Sequence, residues 1–153
     1  MPRLKPNESA PEFSLPADTG SPISLTSLKG RRVVLYFYPK DDTPGCTKQA
    51  CEFRDLAGQF DRRNTVVLGI SGDDLKSHEL FKRKNKLNFP LLTDEDYKVH
   101  KLYGAWGEIT RPTGKKMGVV RTTVVIDDQG KVLYWEKGVN PVGNASKVLQ
   151  LLL

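Results

Sequence analysis

The strongest constraint on the fold is an alternation between buried-strand patterns and amphipathic-helix patterns. Residues 32–38 (RVVLYFY) form a continuous apolar run, rich in β-branched and aromatic side chains, which is typical of a central strand. Apolar residues then recur every three or four positions, which predicts an amphipathic helix. These residues are Cys46, Ala50, Phe53, Ala57 and Phe60.

The rest of the chain continues this alternation. Further strands are predicted at residues 65–71, 91–93, 122–126 and 131–137. Further helices are predicted at residues 75–86, near 97–103 and at 145–153. Residues 104–118, with their glycines and proline, are predicted to form a loop. A βαβ order followed by a hairpin and a helix indicates an α/β protein with a thioredoxin-like fold, a mixed central sheet flanked by helices.

The bulk composition predicts one globular domain, residues 1–153. A chain of 153 residues is of single-domain size and can bury a core without disulfides. Residues 1–13 lack the apolar segment of a signal peptide, and no stretch is apolar enough to span a membrane, so we expect a cytoplasmic protein without membrane contact. The net charge is +6, but the densest basic run, residues 82–86 (KRKNK), lacks interleaved aromatic residues. Nucleic-acid binding is therefore not expected.

Both cysteines lie at the start of the first predicted helix. Cys46 and Cys51 are five positions apart, which fits neither a C-x-x-C redox motif nor a compact zinc motif. In a reducing compartment such cysteines are expected to be reduced, catalytic or metal-binding. With Thr43 as N-cap and Pro44 as the first helical residue, Cys46 falls in the first turn. Unpaired backbone N–H groups and the helix dipole favour a thiolate there, the nucleophilic form of the side chain.

A thiolate in this position needs further groups to become an efficient catalyst. A lower thiol pKa raises the thiolate fraction but also lowers its nucleophilicity, so a competent site must hold the substrate and stabilise charge on a departing oxygen. The hydroxyl of Thr43 could contact that oxygen, or it could serve only as a helix cap. Pro39 could shape the approach of the loop and exclude water, or it could serve only to end the strand.

Residues 39–46 (PKDDTPGC) resemble the P-x-x-x-T-x-x-C signature of peroxiredoxins. The run C-T-K-Q-A-C, which ends at the second cysteine, resembles the bacterioferritin comigratory protein or peroxiredoxin Q subfamily. Supporting similarities extend over nearly the whole chain, at residues 10–13 (APEF), 53–55 (FRD), 103–106 (YGAW) and 121–123 (RTT). Asn7 stands where the family usually has glycine, and asparagine also tolerates a left-handed backbone.

The resemblance implies an antioxidant enzyme, a thioredoxin-dependent peroxidase that needs no cofactor or metal. Cys46 is then the peroxidatic cysteine, Thr43 and Arg121 contact the peroxide, and Pro39 shields the pocket. Gln49 occupies a position where peroxiredoxins often have a polar hydrogen-bonding residue. Substrates would be hydrogen peroxide and organic hydroperoxides, and the enzyme would be a monomer or a weak dimer.

The same resemblance implies an atypical two-cysteine cycle. The Cys46 thiolate becomes a sulfenic acid, Cys51 condenses with it to form an intramolecular disulfide, and thioredoxin or a similar dithiol reduces that disulfide. In an ideal helix, Cα atoms five residues apart are separated by roughly 8–9 Å. A disulfide needs less than about 7 Å. The helix must therefore unwind locally if the two cysteines pair.

Two alternatives remain open at this stage. Cys46, Cys51, His78 and His100 could supply four zinc ligands, although their long spacings match no compact zinc motif. A thioredoxin-like redox-sensing or metal-binding module is the corresponding functional alternative. Cys51 could also be a spectator on the helix flank.

Overall fold

The computed structural model describes residues 4–153. The strands are β1 (Ser14–Leu15), β2 (Ile23–Ser24), β3 (Arg32–Phe37), β4 (Thr65–Ser71), β5 (Leu91–Thr93), β6 (Trp106–Arg111), β7 (Gly114–Val119), β8 (Thr122–Ile126) and β9 (Val132–Lys137). The helices are α1 (Pro44–Arg62), α2 (Leu75–Asn85), α3 (Lys98–Leu102) and α4 (Asn144–Leu151), with a single 3₁₀ turn at Thr26–Leu28.

Five strands form a mixed central sheet in the order β5-β4-β3-β8-β9. Strands β3, β4 and β5 are parallel, whereas β8 runs antiparallel to β3 and β9 antiparallel to β8. The expected mixed sheet flanked by helices is therefore confirmed. The antiparallel pairing sets Phe37 opposite Thr122, which brings the end of β3 and the start of β8 to the same edge of the sheet.

Strand β3 supplies side chains to two cores, one on each face of the sheet. Val33, Leu35 and Phe37 pack with the N-terminal segment and α3. Val34 and Tyr36 pack on the opposite face with α1, α2 and α4. A strand buried on both faces reads as a continuous apolar run, which explains the pattern of residues 32–38.

Helix α1 begins where the sequence predicts. Thr43 is its N-cap residue, with extended backbone, and Pro44 is the first helical residue. Its apolar side packs under the sheet through Ala50, Phe53 and Phe60, which are nearly inaccessible. The helix extends over 19 residues, so its N-terminal turn projects beyond the end of β3.

Residues 104–118 do not form the predicted loop. They contain β6 and β7, which pair antiparallel from Trp106 opposite Val119 to Arg111 opposite Gly114. Most of this hairpin is solvent-exposed, so it lacks the buried alternate face that makes strands recognisable in sequence. The hairpin contains three glycines: Gly114 has a φ of 125°, as in a turn, whereas a Cβ atom on Gly118 would lie 2.7 Å from Cδ1 of Ile109 on the facing strand.

The other predicted elements agree with the structure to within two residues at nearly every boundary. Asn7 has a φ of 73°, the left-handed conformation that asparagine tolerates and glycine adopts freely. Lys86 also has a left-handed backbone and ends α2. Within residues 4–153, no helix is both long enough and apolar enough to cross a membrane.

Candidate active site

Cys46 lies in the first turn of α1, immediately beyond the end of β3. Its side chain is only 1% exposed, and it packs among the buried residues between the sheet and α1. The backbone N–H groups of this first turn have no partners one turn earlier in the helix, so this end of α1 favours a negative charge. The position expected from the N-cap and proline pattern is thus the position observed.

The guanidinium of Arg121 contacts this sulfur. This residue directly precedes β8, and the β3–β8 pairing brings it to the N-terminus of α1. Its Nη2 atom donates to Sγ of Cys46 at 3.4 Å. Its Nη1 atom donates to Oε1 of Gln49 at 2.6 Å. The guanidinium is therefore held between two residues of the same helix.

Gln49 is fixed from its other side by α4. The Nε2 atom of Gln49 donates to Oδ1 of Asn144 at 2.9 Å, and Oγ1 of Thr123 donates to the same oxygen at 3.0 Å. Gln49 and Asn144 are 0% and 3% exposed. Sequence reasoning did not identify Asn144, because it lies 95 positions from Gln49 and only the packing of α4 on α1 brings the two together.

Thr43 and Pro39 both lie in the segment that leads from β3 into the helix that carries Cys46. The side chain of Thr43 does not cap the helix; its hydroxyl instead donates to the carbonyl oxygen of Lys40 at 2.8 Å. That bond uses the only donor of the hydroxyl and leaves its oxygen free to accept. Pro39 lies two residues after the end of β3 and is exposed.

Cys51 points away from Cys46. Its thiol is half-buried and lies 3.9 Å from Oδ1 of Asn85, at the end of α2. Both cysteines are free thiols. Since both belong to the continuous helix α1, the helical geometry keeps their Cα atoms beyond disulfide range.

A second polar cluster anchors the loop between β3 and α1. The carboxylate of Asp41 is buried and accepts from the hydroxyls of Tyr38 at 2.6 Å and Ser77 at 2.9 Å. The Nδ1 atom of His78 lies 2.7 Å from the same carboxylate, and its Nε2 atom lies 3.0 Å from the carbonyl of Leu92. Burial, followed by the neighbouring phenol of Tyr36 and by Asp41, raises the pKa of Tyr38 well above its usual range.

The two histidines are thus engaged elsewhere than at the cysteines. His78 contacts Asp41, and Nδ1 of His100 lies 2.6 Å from Oδ2 of Asp94. Among residues 4–153, no group of three or more histidine, cysteine, aspartate or glutamate side chains is arranged to hold a metal ion. The four candidate zinc ligands do not come together.

Chemically, the site offers a nucleophile, a cation and an acceptor around one point. A sulfur at a helix N-terminus, next to a guanidinium, is arranged to react as a thiolate. The N–H groups of the guanidinium and the backbone N–H groups of the first turn of α1 can stabilise negative charge that forms on a substrate oxygen. Thr43 can accept a hydrogen bond from a hydroxyl at that place.

Comparison with known proteins agrees with this arrangement. A sequence model of the AhpC/TSA family matches residues 6–135. A Coxiella burnetii protein designated peroxiredoxin bcp is 48% identical over 135 residues, which are 88% of this chain and 89% of that protein. The rice protein peroxiredoxin Q, chloroplastic, is 45% identical over 98% of this chain and 69% of its own length.

Solved structures give the same relationship. A cysteine-to-serine mutant of PrxQ from Xylella fastidiosa has a TM-score of 0.92 and 30% identity, covering 99% of this chain and 97% of that one. The bacterioferritin comigratory protein of Xanthomonas campestris, in a structure concerned with alkyl peroxide reduction, has a TM-score of 0.87 and 32% identity. The match covers 92% of this chain and 89% of that one. The thioredoxin-like fold is therefore confirmed. The chain belongs to the AhpC/TSA family, as a peroxiredoxin of the Bcp and Q type and hence a thiol-dependent peroxidase.

Proposed function

We propose that Cys46 is the peroxidatic cysteine, that Cys51 resolves it, and that Thr43, Arg121 and Pro39 complete the site. The observation that carries this proposal is the 3.4 Å contact between Nη2 of Arg121 and Sγ of Cys46 in the first turn of α1. That contact joins a nucleophile at a helix N-terminus to a cation that can stabilise its thiolate and bind a peroxide.

In the first step, the Cys46 thiolate attacks the terminal oxygen of a hydroperoxide. A sulfur–oxygen bond forms and the oxygen–oxygen bond breaks, so that Cys46 becomes a sulfenic acid and an alkoxide or hydroxide departs and takes up a proton. Sulfur is oxidised by two electrons and the peroxide is reduced by two. Arg121 stabilises charge on the departing oxygen.

Thr43 orients the peroxide in this step. Because its hydroxyl donates to Lys40, its oxygen can only accept, and the hydroperoxide O–H is the donor that matches it. The peroxide proton then points towards Thr43, while its oxygen atoms face the sulfur and Arg121. Pro39 has no backbone N–H to offer, so it presents no competing donor.

In the second step, the Cys51 thiol condenses with the sulfenic acid. A sulfur–sulfur bond forms, the sulfur–oxygen bond breaks, and water leaves. Since both residues lie in α1, residues between them must leave the helix for the sulfur atoms to meet. Cys51 already lies at the half-buried edge of α1 beside Asn85, so its outward movement does not cross the core.

A thioredoxin-type dithiol would complete the cycle by exchange, becoming a disulfide as the two cysteines return to thiols. Such a cycle requires a reducing compartment, and we assign the cytoplasm. A monomer or weak dimer suffices, because both cysteines come from one chain. We treat residues 1–153 as one domain that acts without nucleic acid, membrane, metal or cofactor. Reported alkyl peroxide reduction by the Xanthomonas campestris relative supports organic hydroperoxides as substrates besides hydrogen peroxide.

Rapid mixing of the reduced protein with hydrogen peroxide or cumene hydroperoxide tests the proposal, with thioredoxin, its reductase and NADPH present. We expect turnover that is abolished in Cys46→Ser. Cys51→Ser should still consume one equivalent of peroxide but stop turning over with thioredoxin. Full turnover in Cys51→Ser would exclude its resolving role, and retained turnover in Cys46→Ser would overturn the assignment of the nucleophile.

A further inference from the structure

We propose that Asn144 is a positioning residue, which acts through Gln49 to hold Arg121 against Cys46 and to keep the start of α1 helical. Loss of Asn144 should therefore slow the reaction of Cys46 with peroxide and accelerate the formation of the Cys46–Cys51 disulfide. The inference rests on the proposed roles of Cys46 and Cys51. Through Asn144, helix α4 influences the rates of both steps without being part of the catalytic site.

The hydrogen bonds around Asn144 determine the orientation of Gln49. Oδ1 of Asn144 accepts from Oγ1 of Thr123 and from Nε2 of Gln49. The guanidinium of Arg121 can only donate, so the Gln49 atom that meets Nη1 is the carbonyl oxygen Oε1 and the amide nitrogen of Gln49 faces Asn144. The Asn144 atom that accepts from this nitrogen is therefore the amide oxygen Oδ1, and Thr123 donates to it. The amide nitrogen of Gln49 is thereby committed to Asn144, and its carbonyl oxygen Oε1 is presented to Nη1 of Arg121 at 2.6 Å.

Burial makes this orientation depend on Asn144. Gln49 is fully buried and Asn144 is 3% exposed, so water cannot readily replace the acceptor. Without it, Nε2 of Gln49 would be a buried donor without a partner, which is unfavourable. The Gln49 side chain would then gain by rotating or moving towards solvent, and Arg121 would lose its shortest restraint.

Asn144 is itself held in place by the way α4 begins. It follows Gly143, whose φ of 86° is readily available to glycine. The N–H group of Gly143 donates to Oε1 of Glu52 at 2.8 Å. The start of α4 is therefore joined to α1 twice, through Gln49 and through Glu52.

One of these two contacts lies within the segment that disulfide formation must unwind, and the other lies directly after it. Gln49 lies between the two cysteines and Glu52 directly follows Cys51. When residues 46–51 leave the helix, the bond from Gln49 to Asn144 breaks. Asn144 therefore favours the helical state, which reacts with peroxide, over the unwound state, which forms the disulfide.

Asn144→Ala tests both effects in one experiment. The reduced protein is mixed with hydrogen peroxide, quenched with an alkylating reagent, and analysed by intact mass to count thiol, sulfenic acid and disulfide. We expect the peroxide-dependent first step to slow about tenfold, the loss that follows from about 1.4 kcal/mol at Arg121. The peroxide-independent second step should accelerate roughly two- to tenfold, as expected for one broken hydrogen bond.

Matched variants separate positioning from a general loss of structure. Ser146→Ala changes an exposed residue of the same helix and should leave both rates unchanged. Asn144→Asp retains the acceptor oxygen and should restore both rates to within about threefold of wild type, since a carboxylate is tolerated at a helix N-terminus. Asn144→Ser, too short to reach Gln49, replaces the alanine variant if that variant does not fold.

A double-mutant cycle tests whether the effect passes through Gln49. In a Gln49→Ala background, Asn144→Ala should no longer change the first step. If a folded Asn144→Ala variant shows unchanged rates, or a fall in both, the inference is wrong. If instead the wild type forms no sulfenic acid at Cys46 or no disulfide with Cys51, the proposed function fails, independently of Asn144.

Discussion

The guanidinium of Arg121 donates to the sulfur of Cys46 although the two residues are 75 positions apart in the chain. The contact exists because β8 pairs antiparallel with β3, so that the residue before β8 meets the helix that follows β3. One arginine among 24 basic residues thereby acquires a chemical role. Its two terminal nitrogen atoms have different partners: Nη2 donates to the sulfur of Cys46 and Nη1 donates to Gln49.

Replacing Arg121 with lysine should impair the peroxide reaction despite the retained charge. A lysine ammonium cannot reproduce the planar fork that reaches the sulfur and Gln49 together. Loss of a hydrogen bond to a charged group, on the order of 1.5–3 kcal/mol, predicts a fall of roughly 10- to 150-fold in the second-order rate constant. Stopped-flow measurement with hydrogen peroxide checks this. A rate constant for Arg121→Lys within about twofold of wild type would show that charge alone suffices.

Gly45→Ala should reduce activity without unfolding the protein. A Cβ atom at this position would lie 3.3 Å from Nη2 of Arg121 and 3.5 Å from Cγ of Pro141. The guanidinium must then shift by a few tenths of an ångström, which disturbs its contact with Cys46. We expect the peroxide rate constant to fall about fivefold, consistent with about 1 kcal/mol lost at the transition state.

Gly58→Ala in the same helix is the matched control. A Cβ atom there meets no atom within 4 Å, and alanine is the better helix former by about 1 kcal/mol. This variant should be more stable to urea and equally active. A similar loss of activity in both variants would mean that helix rigidity, and not Arg121, causes the effect.

Tyr36→Phe should stabilise the protein. The hydroxyl of Tyr36 is buried and has no hydrogen-bond partner among residues 4–153. Burial, with smaller contributions from Cys46 and Asp41, raises its pKa well above the usual range, so the phenol stays neutral. Removing an unpaired buried hydroxyl while keeping the ring stacked on Phe53 should increase the free energy of unfolding by about 1 kcal/mol. Urea denaturation measures the change, and a decrease would contradict the prediction.

Asp94 should contribute stability that depends on pH. Burial acts to raise the pKa of its carboxyl, but hydrogen bonds from the side chain and backbone of His100 outweigh burial and lower it from 3.8. A carboxyl with a lowered folded-state pKa stabilises the protein above its unfolded value and loses that contribution as the pH falls through the folded value. Asp94→Asn should therefore be less stable than wild type at about pH 6, by about 1–2 kcal/mol.

The difference between Asp94→Asn and wild type should shrink as the pH falls below about 4. Urea midpoints measured for both proteins at several pH values between about 2.5 and 6 provide the check. A difference that stays constant over this range would assign the effect to packing instead.

Elements that bury an apolar face could be predicted from the sequence, whereas exposed pairing could not. Strand β3 carries a continuous apolar run and helix α1 a strong helical periodicity, and both lie where these patterns predict them. The β6–β7 hairpin has few buried residues and was predicted as a loop. Both faces of the hairpin are largely open to solvent, so its sequence lacks the alternation of apolar and polar residues by which strands are predicted.

The sequence by itself determined the local chemistry of the site: a cysteine three residues after the N-cap of a helix, with proline at the first helical position. Hydrophobic periodicity and capping act over a few residues, so they can be recognised without tertiary information. Tertiary structure decided which distant groups surround that cysteine, and of these Arg121 was expected there only through the family resemblance. Arg121, Thr123 and Asn144 reach α1 through strand pairing and helix packing, and the geometry of these contacts depends on the closure of the whole sheet rather than on any local pattern.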